Sequence, residues 1–566
     1  MALSYAAVAA AAAPARARAP CGKMAVEFFH EADPADLSAR YVWQEGWPPA
    51  LAGAANGGSL PPRGTGLGPR LLQSHGWLEG SLLDYDSLEA AAAVFDAAKP
   101  DTWPRVLPRQ DVLFVDGFGK QRPAPVPSLR VPLDRLRPST ASNGARGGEP
   151  PRLSVLLVRW GGRCRIGEGR EHEAEGEGGW GKYGAPPSDL YMSSLVKEGF
   201  KAHPELGGSS GSVGRNFEMF SLFVGSSTEL SAIIPVASNI AATLRGEKKA
   251  SFWMLWPAEW EDFDETDYAG YVQTQAIFPT MRACEAVGIR STFPHPADQY
   301  ELITSKSWMV TLALRPEAAL PAAVFAEAGA VLADPMAAAR RALAELAAVR
   351  ASNPFPRGGD GSRPAPSNVN GDGTLRKGMV KAGWTWEGRF VLSFTGEKEL
   401  AKRLEEMLLV DGYLGSRCLV QEWVDFDFEI RLFFLPPGDW APGTPVRPVR
   451  FEYNGWGKPQ EEGRPGAFRK LSREKVLKEM WHDDTAALDS AQERAVEISQ
   501  DLLSWLHAAH PAQPVAMVRL DFMLLRLGPG QARVVFGEFC ELGACCISWE
   551  QGPPTIWRAA IDYALR

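Results

Sequence analysis

The chain is poor in cysteine for its length, has no long apolar run and carries no surplus of positive charge, and each absence removes a class of function. Its seven cysteines, Cys21, Cys164, Cys284, Cys418, Cys540, Cys545 and Cys546, form no CxxC pair and have no histidine at zinc spacing. That excludes a disulfide scaffold or a zinc module and suits free thiols in a reducing compartment. The adjacent Cys545 and Cys546 read as small buried residues rather than a redox pair. No apolar run approaches the roughly 20 residues of a membrane span, so no membrane partner is expected. A net charge of -8 speaks against a chain whose task is to neutralise phosphate backbone, and nucleic acid is not an expected partner. There is no internal repeat.

What is present is ordinary globular composition, 45% hydrophobic and 23% charged over 566 residues, which is long enough for two to four domains. The first 40 residues open with an alanine- and arginine-rich stretch that has no acid before Glu27. This segment reads as a low-complexity extension or a targeting leader and is set outside the fold. A cytoplasmic location is expected, or a plastid or mitochondrion if the stretch is a transit peptide. Polar linkers divide the remainder: "GAANGGSLPPRGTGLGPR", "RPSTASNGARGGEPPR", "IGEGREHEAEGEGGWGKYGAPP" and, over 351–374, a disordered insertion. His172 lies in the third of these among acids, as part of a solvated charge run. His295, between two prolines, reads as a turn residue.

Short apolar runs bounded by turn signals, such as "LSVLLVRW", "FEMFSLFVG", "SFWMLW", "CLVQEWV", "IRLFFL", "AMVRLDFMLL" and "RVVFGEF", predict strands. Runs with helical periodicity, "AIFPTMRACEAVGI", "MAAARRALAELAAV", "EKELAKRLEEMLLV" and "SAQERAVEISQDLLSWLHAA", alternate with them. The alternation predicts an α/β or α+β architecture.

Four groups of residues carry chemistry. Lys306, in "LITSKSWMV", stands where a helical run opens. Lys381 ends an apolar approach and is followed by Gly383 and Gly388 before a new strand-like run. Such a hairpin can offer backbone N–H groups to a polyphosphate while the lysine supplies a point charge. In "CLVQEWVDFDFEIRLFF" a strand enters a polar connector at Gln421 and Glu422, and a second strand leaves through Glu429 and Arg431. The connector can present backbone groups to an adenine edge while Glu422 takes a ribose hydroxyl. Finally, Asp521 in "VRLDF" and Glu538 in "GEFCELG" stand inside two adjacent apolar strands. Paired buried carboxylates need a cation between them, and magnesium, an oxygen-binding ion that tolerates one or two carboxylates beside phosphates, meets that need. Arg519 lies two residues before Asp521, on the same strand face, where it can meet a phosphoryl group in transfer.

Taken in order, these groups resemble the ATP-grasp superfamily over residues 301–566, with a smaller α/β domain preceding it at 215–300 and a region of unassigned role at 41–210. The resemblance implies an α/β (α+β) fold of two α+β lobes with ATP between them. It implies Lys306 and Lys381 on the phosphates, with Gly383 and Gly388 in the covering loop. Gln421, Glu422, Trp423 and Val424 would lie at base and ribose, Mg2+ on Asp521, Glu538 and Glu541, and Arg519 and Arg431 at the transferring phosphoryl group. The activity implied is a carbon–nitrogen ligase of small-molecule substrates: a carboxylate is activated as an acyl phosphate and captured by an amine. The sequence departs from the family at Cys540, where an Asn or acid is usual, with Glu541 one position further on. An ATP-dependent kinase of an anionic acceptor held by Arg464, Arg469, Lys470 and Arg473 is the alternative, and a non-catalytic ATP-binding protein is the third.

Overall fold

The computed structural model describes residues 24–31, 40–43, 71–108, 112–115, 121–123, 128–139, 150–160, 203, 206, 216–259, 271–352, 375–384, 390–409, 413–456, 468–515, 517–540, 549 and 551–566. Strand β1 (Met24–Glu31) pairs antiparallel with β2 (Leu71–Leu82), and β2 pairs antiparallel with β4 (Phe217–Val224). Between them in sequence lies β3 (Leu153–Trp160). Together with β5 (Lys248–Met254) and β6 (Arg290–Phe293) it makes a parallel core in the order β6-β5-β3-β4. The first parallel strand, β3, therefore sits in the middle, with its successors on either side, which is a doubly wound arrangement. Helices α1 (Thr274–Ala286) and α2 (Ala297–Thr304) cover one face through Ile277, Phe278, Met281 and Tyr300, all buried.

Two expectations are corrected here. Residues 1–40 are not wholly outside the fold, because Val26, Phe28 and Phe29 of β1 are buried and the strand is paired along its length. The division at 210–215 is crossed by one sheet, since β3 lies between β4 and β5 and all three share core residues. A domain border cannot run through a continuous ladder of hydrogen bonds.

The remaining chain forms two α+β lobes. The first is a four-stranded antiparallel sheet of β7 (Ala323–Glu327), β8 (Lys377–Lys381), β9 (Val391–Thr395) and β10 (Arg417–Glu422), in the order β7-β10-β8-β9. Helices α3 (Pro335–Ser352) and α4 (Gly396–Leu408) cover one of its faces. In α4 the stripe of Leu400, Leu404, Met407 and Leu408 faces the sheet, and Glu397 and Glu399 favour its N-terminal turn. Gly378 is required in β8: a Cβ there would stand 2.4 Å from the Phe394 ring and 2.6 Å from the Gln421 carbonyl oxygen. Helix α3 runs through residues 351 and 352, and the rest of the expected insertion, 353–374, lies outside the described residues.

The second lobe has five antiparallel strands: β11 (Phe428–Phe434), β12 (Arg450–Trp456), β13 (Phe468–Leu471), β14 (Val518–Gly528) and β15 (Gln531–Cys540). Their order is β13-β12-β11-β14-β15. Helix α5 (Thr485–Ala509), capped by the Asp484 carboxylate on the Ala487 N–H, packs on one face. Its buried positions Leu488, Ala491, Ala495, Ile498, Leu502 and Leu506 recur at helical spacing. The C-terminal helix α6 (Gly552–Leu565) returns to the first domain and packs Ile556, Trp557 and Ile561 on β5 and β6. Two α+β lobes preceded by an α/β domain is the architecture that the ATP-grasp resemblance implies. Among the described residues no helix is long and apolar enough to cross a membrane.

Candidate functional site

Strand alternation gives the second lobe two chemically opposite faces. Phe428, Ile430, Leu432 and Phe434 of β11 and Val518, Leu520, Phe522 and Leu524 of β14 point to α5 and are buried in one apolar core. The residues between them face the other way. Register places Glu429 beside Asn454, Arg431 between Glu452 and Asp521, and Asp521 beside Glu538. A bulge between Asp521 and Phe522 absorbs Gly537, so Glu538 and Cys540 share the polar face while Phe536 and Phe539 stay in the core.

The first lobe is divided the same way. Gly378, Val380, Cys418 and Val420 face the helices, whereas Lys377, Met379, Lys381, Leu419 and Gln421 lie on the opposite face. Lys381 donates to the Gln421 side-chain oxygen at 2.7 Å. Burial pushes the Lys381 ammonium down to about 8; Glu538 opposes that shift and the charge of Lys306 adds to it. Lys306, Lys381 and Glu538 therefore meet electrostatically across the cleft between the lobes. Lys306 is the turn residue between α2 and the short helix Trp308–Leu312, with φ 53°. A side-chain-bearing residue held there costs on the order of 1 kcal/mol, a strain found mostly where position matters.

Arg519 and Asp521 form a bidentate pair, Nε to Oδ1 and Nη2 to Oδ2 both at 2.8 Å, with both side chains 3% exposed. Arg431 reaches the same carboxylate at 3.5 Å and donates to Glu429 at 2.8 Å. Burial raises the Glu429 carboxyl above its ordinary value, against the pull of Arg431. Farther along the same face, Glu452 accepts from Arg450 and Lys470, each at 3.1 Å.

Several expected roles change with this geometry. Asp521 does not wait for an ion to neutralise it, because Arg519 engages both its oxygens. Two carboxylates side by side in the ladder, Asp521 and Glu538, are a donor set that fits magnesium, and Arg519 would have to yield an oxygen for Asp521 to join. Among the described residues no cluster of three or more His, Cys, Asp or Glu side chains forms a ready-made metal site, and Glu541 lies outside the described residues. Cys540 is buried beside Arg519 in the ladder.

Glu422 is also corrected. Its side chain points to the helix layer, where it accepts from the Ala322 N–H at 3.3 Å and from Arg350 at 3.5 Å, so it cannot hold a ribose in the cleft. Gln421, one residue earlier, is the connector residue that faces inward. Glu429 is a half-buried acid on the cleft face; its i, i+2 spacing with Arg431 is the signal that marks it. Val424 packs with Met523 and Val535 as an apolar shelf. Trp423 is stacked under the Lys377 ammonium, 3.3 Å from its ring centre.

Lys381 stands on a hairpin as expected, with β8 and β9 antiparallel, but Gly388 lies outside the described residues. Gly383 lies against the carboxylate of Glu259, which comes from the first domain: a Cβ there would stand 3.0 Å from its Oε2. The anionic-acceptor patch is reduced too: Lys470 is paired with Glu452, Arg473 with Asp489, and Arg464 lies outside the described residues.

No protein-family model and no curated protein matches the chain. Solved structures with a similar course of the chain include D-cycloserine synthetase DcsG, at 15% identity and TM-score 0.37, over 73% of this chain and 99% of that one. Others are VanG D-Ala:D-Ser ligase from Enterococcus faecalis, at 12% and 0.40 over 73% and 98%, and L-amino acid ligase from Bacillus licheniformis, at 12% and 0.37 over 74% and 75%. Likeness at this level assigns no role to any residue of the cleft.

Proposed function

We propose that the chain is an ATP-dependent ligase that activates a small-molecule carboxylate and transfers it to an amine. The observation that carries the reading is the meeting of Glu538 and Lys306 at Lys381, between two lobes whose outer faces are packed with helices. Two ammonium groups, one sitting on a hairpin, suit a polyphosphate, and the shelf of Val424, Met523 and Val535 suits a flat apolar base beside it.

In this reading Lys306 and Lys381 carry the phosphates, and Gln421 orients Lys381 through their 2.7 Å hydrogen bond. The connector at Trp423 and Val424 takes the base, and Glu429 replaces Glu422 as the acid on the nucleotide side. Asp521 and Glu538 would hold Mg2+, with Glu541 as the third candidate, and the ion would offset phosphate charge. Arg519 and Arg431, fixed by their carboxylate partners, present guanidinium edges to the phosphoryl group as it moves. A substrate carboxylate oxygen bonds to the γ-phosphorus as the bond to the β-phosphate oxygen breaks and ADP leaves. The amine then attacks the acyl carbon, inorganic phosphate departs and the nitrogen loses a proton, leaving an amide.

ADP release in the presence of Mg2+ and pooled carboxylates and amines tests this, with Asp521→Asn and Glu538→Gln as controls. Release that requires both substrate classes and is lost in Glu538→Gln is expected. Release accompanied by a phosphorylated hydroxyl acceptor would make the protein a kinase, and binding of ATP without release would make it a non-catalytic binder.

A further inference from the structure

Exposure rises across the polar face of the second lobe. The side chains of Arg519 and Asp521 on β14 are 3% exposed and that of Arg431 on β11 is 10%, whereas Arg450 on β12 reaches 30% and Lys470 on β13 reaches 27%. The face therefore opens on the β12–β13 side, at the other edge of the sheet from Glu538 on β15. At the open side two cations converge on one oxygen: Arg450 Nε and Lys470 Nζ both donate to Oε1 of the buried Glu452. Positive charge is left over, two groups against one carboxylate. Of the Arg450 guanidinium only Nε hydrogen-bonds among the described residues, so both Nη groups keep their donors. The guanidinium is nonetheless fixed, because its carbon lies 5.5 Å over the centre of the Trp549 ring, which is itself braced by Phe433 at 5.2 Å. An arginine whose task was to neutralise Glu452 would duplicate Lys470, and an ordinary solvated arginine would be neither stacked nor pinned.

We propose that Arg450, backed by Trp549 and oriented by Glu452, is the docking point for a second carboxylate of the acid substrate, so that the protein takes dicarboxylates. The proposal rests on the ligase reading above. Phosphoryl transfer places the attacking and leaving oxygens roughly in line. With the nucleotide on the β15 side, the carboxylate that attacks must come from the β12 side. The row Glu538, Asp521, Arg431, Glu452 runs along that line, one residue per strand. Arg431 faces Glu452 in the ladder, and Arg450 lies two residues before Glu452 on the same strand face. Arg431 and Arg450 are therefore diagonal neighbours, roughly 7–8 Å apart at the backbone. A short methylene spacer bridges that gap: one carboxylate is activated beside Arg431 while the other stays on the open fork of Arg450, whose planar geometry suits a bidentate carboxylate. The buried Phe433 stands between Arg450 and Arg519 and keeps the retained carboxylate away from the Arg519 side.

The full-length protein is tested with succinate, glutarate and adipate against their monomethyl esters, which keep one carboxylate and mask the other. Two quantities are read: calorimetric affinity in the presence of a non-hydrolysable ATP analogue and Mg2+, and KM and kcat for ADP release with ATP, Mg2+ and a pool of amines. At least one diacid is expected to bind wild type about tenfold more tightly than its ester does, as a charge-assisted bidentate pair would give. Arg450→Gln should erase that difference and raise KM for the diacid about tenfold, the effect falling on KM rather than kcat. Arg450→Lys, a point charge without the fork, should recover part of it. Lys470 still partners Glu452 in both variants, so their unfolding midpoints in urea should match wild type. If Arg450→Gln is destabilised, Trp549→Leu is read in its place: it removes the stacking face alone, and a loss of about threefold in diacid affinity with none for the ester is expected. Diacid and ester binding equally well to wild type, or losing affinity equally in the variant, overturns the subsite, as does the absence of diacid binding. If no acid gives ADP release the ligase reading fails, and the subsite stands or falls by the same calorimetric comparison.

Discussion

Removing the Asp521 carboxylate distinguishes an ion pair from a metal site left waiting. The Arg519 and Asp521 side chains are each 3% exposed and joined by two 2.8 Å contacts, and the next cation, Arg431, is 3.5 Å from the same carboxylate. Asp521→Asn would leave two guanidinium groups sharing a buried face, of which Arg431 keeps Glu429 at 2.8 Å. Breaking one side of such a pair costs about 3–5 kcal/mol, whereas replacing both partners by apolar side chains of similar volume is often neutral or stabilising. The cycle of Asp521→Asn, Arg519→Met and the double variant should therefore show a coupling of about 2–4 kcal/mol, the double variant being more stable than Asp521→Asn alone. Urea unfolding followed by tryptophan fluorescence and circular dichroism, in EDTA and in Mg2+, reads this directly. Additive effects within about 0.5 kcal/mol, or an Asp521→Asn protein more stable than wild type in EDTA, would refute the pairing and restore two repelling carboxylates.

Nucleotide affinity should fall as pH rises through about 8, the value to which burial lowers the Lys381 ammonium. Phosphate binding favours the charged form, so affinity is full below that pH and falls about tenfold between pH 7 and 9, with about half a proton taken up per nucleotide at pH 8. Calorimetry in buffers of different ionisation enthalpy measures the uptake, and a flat profile counts against the assignment. The same depressed value means the native state holds fewer protons than the unfolded chain between about 8 and the ordinary 10.5, so this residue's contribution to stability rises with pH across that window. Glu422→Ala should cost about 1–3 kcal/mol by stranding the Ala322 N–H and Arg350, with nucleotide affinity in titration calorimetry within twofold of wild type; a tenfold loss would return Glu422 to the ribose. Trp308→Ala, which empties a site 1% exposed and in ring contact with Phe536 and Phe539 at 5.3 and 4.8 Å, should lower stability in urea by about 3–5 kcal/mol. A loss under 1 kcal/mol would mean the interlobe core repacks.

Alternation and periodicity, which are local, determined most elements from the sequence alone. "VRLDF" and "EIRLFF" must be strands with one apolar and one charged face, and the long runs now seen as α3, α4 and α5 must be helices. The same local rule put Lys381 at a strand end, Lys306 at a helix boundary, and Asp521 and Glu538 inside the sheet. It missed α6, whose "GPPTIWRAAIDYAL" follows a proline-rich start, and it set β1 aside because an alanine-rich neighbour dominated the composition. Which partner each charge meets is a different matter, because it depends on residues far apart in the chain. Only the ladder between β11, β14 and β15 brings Arg431, Asp521 and Glu538 together. Only the packing of α3 on β10 turns Glu422 away from the cleft. Only the docking of the first domain brings Glu259 to Gly383, 124 positions along the chain. The sequence by itself determined which residues would be charged and buried on a strand face, since period two is a property of the backbone. The tertiary structure decided which partner each one meets, since Coulomb energy in a buried cleft depends on distances that no local pattern encodes.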